Sequence, residues 1–184
     1  VRAMEPAGGD VSVLELAAQD GCLLPDYLCG QHVPLALEAD GVRLERSYSL
    51  IGATRVQGHD VYRIAVKRSA AREGVSHRLH AAGAEPVWAG GRAPRLWLKA
   101  PRGHFLLPLQ RSTPVVLMAA GVGITPFVGM LETLAASPRH CSAHTPPILL
   151  LYGNRDGAHH AFAERLRVLA ARLPCLQLVV VYSR

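Results

Sequence analysis

Apolar and polar residues alternate from Val11 to Leu16, the two-residue period of a half-buried strand. Gln31–Leu37, Val42–Ile51, Val61–Lys67 and Arg95–Ala100 repeat the pattern in short runs. Turn-forming residues separate them: Gln19-Asp20-Gly21, Asp40-Gly41, Gln57-Gly58-His59-Asp60 and Gly90-Gly91. One short helix is predicted here, Ser76–Ala82. About six strands of this length predict a small antiparallel barrel.

After Pro108 the pattern changes. Val115–Ala119 is a continuous apolar run, followed by an amphipathic helix over 126–136. Strand Ile148–Tyr152, helix Ala161–Leu173 and strand Gln177–Tyr182 complete a βαβαβ order. Continuous apolar strands predict burial on both faces and parallel pairing. This is one half of a doubly wound nucleotide-binding fold. The fold class is therefore β barrel plus α/β, with units over 1–110 and 111–184. Three strands are few for such a sheet, so C-terminal strands are expected to be missing. Val1 is not an initiator residue, which predicts a fragment or a processed chain.

Composition narrows the partners. The net charge is +6 with a pI near 9.5. The arginines are dispersed, Lys67 and Lys99 are the two lysines, and aromatics make up 5% of the chain, so nucleic acid is not expected. A basic face could instead meet an acidic electron-transfer partner. No apolar run approaches the roughly 20 residues that span a bilayer, and the first residues lack a secretory core. The expectation is no membrane and a cytoplasmic location. Cys22, Cys29, Cys141 and Cys175 match no zinc or cluster spacing and are expected as free thiols. His140, His144, His159 and His160 are expected as solvated surface residues, with no metal site.

The most specific motif is Ala120-Gly121-Val122-Gly123-Ile124-Thr125 before Pro126. It lies between a strand and a helix. Glycines let backbone bend and approach a ligand, Thr125 suits a cap and Pro126 a first turn. A helix start there favours a pyrophosphate. Upstream, Arg46-Ser47-Tyr48-Ser49-Leu50 puts a guanidinium and a phenol ring on one strand face. That pair can hold a phosphate and a flat ring, or be an ordinary strand. Val66-Lys67-Arg68 ends the next strand, and Gly74-Val75-Ser76 opens the short helix as a second anion site or a plain cap. Pro101-Arg102-Gly103-His104-Phe105 reads as a tight turn with a buried aromatic.

With Pro25 and Gly30-Gln31-His32, these segments stand in the order found in the ferredoxin–NADP reductase superfamily. The chain resembles it from about Val11 to Arg184. It is most similar to the reductase portions of flavohaemoglobins and bacterial oxygenase reductases. The resemblance implies a flavin-dependent NAD(P)H oxidoreductase, with hydride passing to FAD and single electrons to an iron–sulfur or haem partner. Arg46 is implied at the flavin phosphates, Tyr48 stacked on the isoalloxazine and Ser49 near N5, with Ser47 beside them. Tyr48 and Ser49 are the implied catalytic pair. Val66 and Lys67 flank the flavin, Gly74, Val75 and Ser76 bind its pyrophosphate, and His32 takes a position where some members place an aromatic. Gly121, Val122, Gly123, Ile124 and Thr125 are implied for the nicotinamide dinucleotide, with Arg155 after the second strand. Ser183 and Arg184 sit where NADPH-using relatives often carry Ser-Arg.

The chain departs from the family in three ways. It lacks the C-terminal segment, its 137–147 loop is long and Pro-rich, and Leu50-Ile51-Gly52-Ala53 lacks the hydroxyl or amide residues often found there. Gly74-Val75-Ser76 favours FAD over FMN. The alternatives are a non-catalytic flavin- or nucleotide-binding remnant and an FMN-type oxygenase reductase.

Overall fold

The computed structural model describes residues 1–39, 41–56, 59–69, 74–84, 96–137, 141–142 and 144–184. Five antiparallel pairings build one sheet from β1 (Ala3–Gly8), β2 (Val11–Ala17), β3 (His32–Ala39), β4 (Val42–Val56), β5 (His59–Lys67) and β6 (Leu96–Leu98), in the order β1-β2-β5-β4-β3-β6. The expected antiparallel unit is present. Among the described residues it does not close into a barrel, because β1 and β6 end the order unpaired with each other.

The sheet nevertheless curls around one apolar cluster. Leu14, Leu35, Leu50, Ile64 and Val66 point inward from four strands. Helix α1 (Val75–Ala84) plugs the cluster with Val75 and Leu79. Burying one such leucine stabilises by roughly 1.5–3 kcal/mol. β1 was not visible in the pattern. Pro6 and Gly8 break its alternation, and both are tolerated because β1 is an edge strand.

β4 runs past its expected end at Ile51. A register shift between Leu50 and Gly52 marks a bulge, where an extra residue bends the strand without ending it. Leu50 faces the inner cluster, whereas Ile51 joins a second cluster on the outer side.

That second cluster is shared with the parallel unit. β7 (Val115–Ala120), β8 (Ile148–Asn154) and β9 (Leu176–Tyr182) pair in parallel with β8 central. α2 (Thr125–Ala136) and α3 (Ala163–Arg172) supply Phe127, Leu131, Leu134, Leu166 and Leu169 to one face. The other face is uncovered in the structure: Val116, Met118, Val179 and Val181 are all exposed. The expected two-sided burial is thus met on one side only.

Two further expectations need correction. Cys141 and Cys175 form a disulfide with Cα atoms 5.5 Å apart, while Cys22 and Cys29 are free. Sequence spacing carries no signal for a pair that the fold brings together at the start of β9. Phe105 is not buried but 58% exposed, touching the edge of Phe127 at 5.6 Å between ring centroids. Its backbone is what the fold holds, since a Cβ on Gly30 would stand 2.0 Å from the Phe105 carbonyl oxygen.

Candidate functional site

The Arg46–Ser49 segment lies on β4 opposite β3, in the register Leu35↔Arg46, Pro34↔Ser47, Val33↔Tyr48 and His32↔Ser49. Tyr48 is half-buried against the inner cluster, and burial pushes its phenol pKa up. Arg46 and Ser47 are exposed, and the Arg46 Nη1 donates to the Glu45 carbonyl at 2.8 Å. His32 exchanges two backbone hydrogen bonds with Arg102. Its ring lies on Gly103, where a Cβ would approach Nδ1 to 3.0 Å. Gly103 has φ +121°, so the turn after β6 requires glycine for conformation and for space. His32, Arg46, Ser47, Tyr48 and Ser49 thus occupy two neighbouring strands.

Val66 and Lys67 end β5, and α1 packs against β4 and β5. The Val66 and Val75 side chains are buried in the inner cluster, which leaves their backbone as the part available for contact. Ser76 is half-exposed, Gly74 accepts the Arg78 N–H at 3.2 Å, and Lys67 pairs with Asp10 at 3.7 Å. Sequence reasoning missed His80. This buried histidine is hydrogen-bonded through Nε2 to the Val66 carbonyl at 3.1 Å, and no partner is found for its Nδ1 among the described residues. Burial pushes its pKa below the ordinary histidine value. Spacing could not have marked it, since it reads as one polar residue on a weakly amphipathic helix.

Gly121–Ile124 forms a 3-10 turn that runs directly into α2. Thr125 is therefore the first residue of α2 rather than its cap; its side chain is buried and makes no capping bond, and its N–H donates to the Val122 carbonyl. Pro126 takes the expected early position. Ile124 is buried in the shared core. Gly121 has φ +50°, and a Cβ on Gly121 or Gly123 would meet nothing within 4 Å. Bare backbone at a helix start facing open space is the surface that a pyrophosphate needs.

Arg155, Ser183 and Arg184 converge at the C-terminal ends of β8 and β9. The Arg155 carbonyl accepts the Arg184 N–H at 3.0 Å and the Ser183 hydroxyl at 3.4 Å. The Arg155 side chain folds onto Asp156 and His159. His159 also holds Asp156 through Nδ1 at 2.6 Å, and that hydrogen bond draws the Asp156 pKa down. His160 packs between the Tyr152 and Tyr182 rings and bonds the Tyr182 hydroxyl at 2.9 Å. These two histidines are half-exposed and engaged, not simply solvated; His144 is exposed as expected, and His140 lies outside the described residues. No cluster of metal-ligating side chains occurs among the described residues.

The two halves meet through α2. A Cβ on Gly129 would stand 2.5 Å from the Leu50 carbonyl oxygen, so helix backbone lies directly on the end of the Arg46–Leu50 segment. The glycine turn also touches β5. A mid-helix glycine was the available signal for this contact.

Comparison with known proteins bears on the fold and the family. The solved flavohaem-like FAD/NAD-binding domain of nitric oxide dioxygenase from Vibrio cholerae O1 biovar El Tor is 30% identical, with TM-score 0.75, over 99% of this chain and 72% of that one. The chain belongs to the ferredoxin–NADP reductase superfamily. Residues 117–184 match the oxidoreductase NAD-binding domain. The flavohemoprotein of Bordetella pertussis is 33% identical over 183 residues, 97% of this chain and 42% of that protein. The chain therefore spans less than half the length of this relative. Phthalate dioxygenase reductase, at 24% identity and TM-score 0.68, shares the fold over 100% of this chain and 51% of its own. Among the described residues no helix is long and apolar enough to cross a membrane.

Proposed function

We propose that this chain is the reductase module of an electron-transfer flavoenzyme, taking hydride from NAD(P)H onto FAD and releasing single electrons to a haem or iron–sulfur acceptor. The observation that carries the reading is the seating of α2 backbone on Leu50, which joins the Arg46–Ser49 strand to the glycine turn. Bound flavin supplies hydride acceptance and one-electron release. Residues of the chain bind and orient. Arg46 offers a charge-assisted contact to phosphate, Tyr48 a ring face and Ser49 a hydroxyl near the reacting end of the flavin. His32 and Ser47 border them, and Val66, Lys67, Gly74, Val75 and Ser76 form the pyrophosphate end, which favours FAD over FMN. Gly121, Val122, Gly123, Ile124 and Thr125 hold the dinucleotide. Arg155, Ser183 and Arg184 form a basic, hydroxyl-bearing rim that suits a 2′-phosphate, hence NADPH.

This reading divides the chain at 110/111, and the two sheets fall on either side of that boundary. It places the module in the cytoplasm, a reducing compartment in which the Cys141–Cys175 pair would be held as thiols.

The chain loaded with FAD should show a three-banded flavin spectrum that NADPH bleaches anaerobically. Arg46→Ala should raise the FAD Kd about 10- to 100-fold, as expected for loss of a charged hydrogen bond. Ser49→Ala should keep FAD and slow the bleaching. Unchanged FAD affinity in the first variant removes Arg46 from the site, and an unchanged rate in the second removes Ser49.

A further inference from the structure

Tyr152 lies on β8 with its ring fully buried in the shared core. Its hydroxyl faces two backbone carbonyls, Gly121 O at 3.1 Å and Ala161 O at 3.3 Å. A phenol has one proton, so it serves one carbonyl at a time. Each carbonyl belongs to a segment with left-handed backbone. Gly121 opens the glycine turn at φ +50°, and Ala161 precedes Phe162, the one non-glycine residue with positive φ among those described. The Phe162 N–H in turn donates to the Ala7 carbonyl of β1 at 2.6 Å. A chain of contacts therefore runs from the glycine turn through Tyr152 to the edge strand of the antiparallel sheet. Nothing packs against the Cβ position of Gly121, so side-chain packing does not fix that peptide.

Asn154, two residues along the same strand face, is 6% exposed. Its Oδ1 and Nδ2 are both buried without a hydrogen-bond partner of normal distance and angle among the described residues. A buried amide in that state is costly and calls for an explanation. The amide lies beside the phenol: burial pushes the Tyr152 pKa up to about 12, and a hydrogen-bonding approach of the Asn154 side chain to the phenol, short of normal hydrogen-bond geometry, acts against that rise.

We propose that Tyr152 is a positioning residue for the nucleotide, fixing the Gly121 peptide in its binding conformation, and that the Asn154 amide completes this tie when a pyrophosphate occupies the turn. The proposal rests on the nucleotide reading of the glycine turn. Neither side chain needs to touch the ligand. Tyr152 orients the backbone from beneath, and the unused Asn154 donors take up the carbonyl or phenol oxygen that the single hydroxyl proton leaves unserved.

The test measures ADP-ribose affinity, FAD affinity and Tm in the 184-residue chain loaded with FAD. ADP-ribose carries the pyrophosphate without the nicotinamide. Tyr152→Phe should weaken ADP-ribose about five- to tenfold, the scale of one hydrogen bond, and leave the FAD Kd unchanged. Asn154→Leu should raise Tm, because an unpartnered amide is removed, and still weaken ADP-ribose. A purely structural role cannot give that split. Leu150→Val, a core trim on the same strand, should lower Tm without changing ADP-ribose affinity. Wild-type affinity in Tyr152→Phe, or equal weakening in Leu150→Val, overturns the assignment of Tyr152. Wild-type affinity in Asn154→Leu overturns that of Asn154. A wild-type chain that binds FAD but neither ADP-ribose nor 2′-phospho-ADP-ribose removes the nucleotide reading itself, and this inference with it.

Discussion

The antiparallel and parallel sheets solve the same burial problem to different extents. The antiparallel sheet curls so that its inner face wraps a cluster around Leu35, Leu50 and Ile64, with α1 as a plug, and its outer face at Val13, Ile51 and Ala65 lies under α2. The parallel sheet cannot curl in that way with three strands, and helices cover one face of it. Its second face keeps Met118 at 72% exposure and Val116 at 58%. Self-sufficiency therefore differs between the units. The flavin-side sheet carries its own core, whereas the nucleotide-side sheet borrows part of its core from the outer face of its neighbour.

The sharpest way to break this contrast is to cut into the curled sheet. Leu35→Ala removes a fully buried side chain from that inner cluster and should cost about 2–5 kcal/mol in urea unfolding. A cost below about 1 kcal/mol would show that the curled sheet is loosely packed.

Acid should act next, through one histidine in each unit, buried His80 and half-exposed His160. His80 and His160 both have pKa values lowered by burial. Each binds its proton more readily when unfolded, with an ordinary value near 6.5. Stability is therefore complete above that value and falls as the pH drops through it toward the lowered folded values. Tm measured between pH 7.5 and about 5 should decline, and His80→Gln should flatten the slope. An unchanged slope in that variant would place the acid sensitivity elsewhere.

The smallest effect belongs to the open face. Met118→Lys should change unfolding free energy by no more than about 0.5 kcal/mol, as for a surface site. A loss of several kcal/mol in the same assay would mean that this face is covered in solution, and the contrast between the sheets would fail.

How much of this was legible before the fold depended on the length scale of the signal. Periodicity over five or more residues located most of the described strands and the three described α-helices, because alternation and helical spacing report burial directly. Single-residue events stayed hidden. The bulge after Leu50 adds one residue to β4, Pro6 and Gly8 mask β1, and Phe162 takes a left-handed conformation that its identity disfavours. The order of the site segments was visible, since each motif carries its own local chemistry. What joins them was not. Gly129 on Leu50, Tyr152 beneath Gly121 and the Cys141–Cys175 bond are contacts between distant segments, and their partners share no sequence pattern.

In the oxidised chain, the disulfide also divides the molecule by connectivity. It closes a covalent ring across a sequence separation of 34 that contains the whole of β8 and α3. In a chain-entropy description, a ring of that size disfavours the open chain by about 4 kcal/mol. The central strand and its helix cannot drift apart when the parallel sheet loosens, whereas β7 lies outside the ring and β9 begins just past it. Unfolding of this unit should therefore peel from its edges, leaving a tethered strand–helix loop as the seed from which the sheet re-forms.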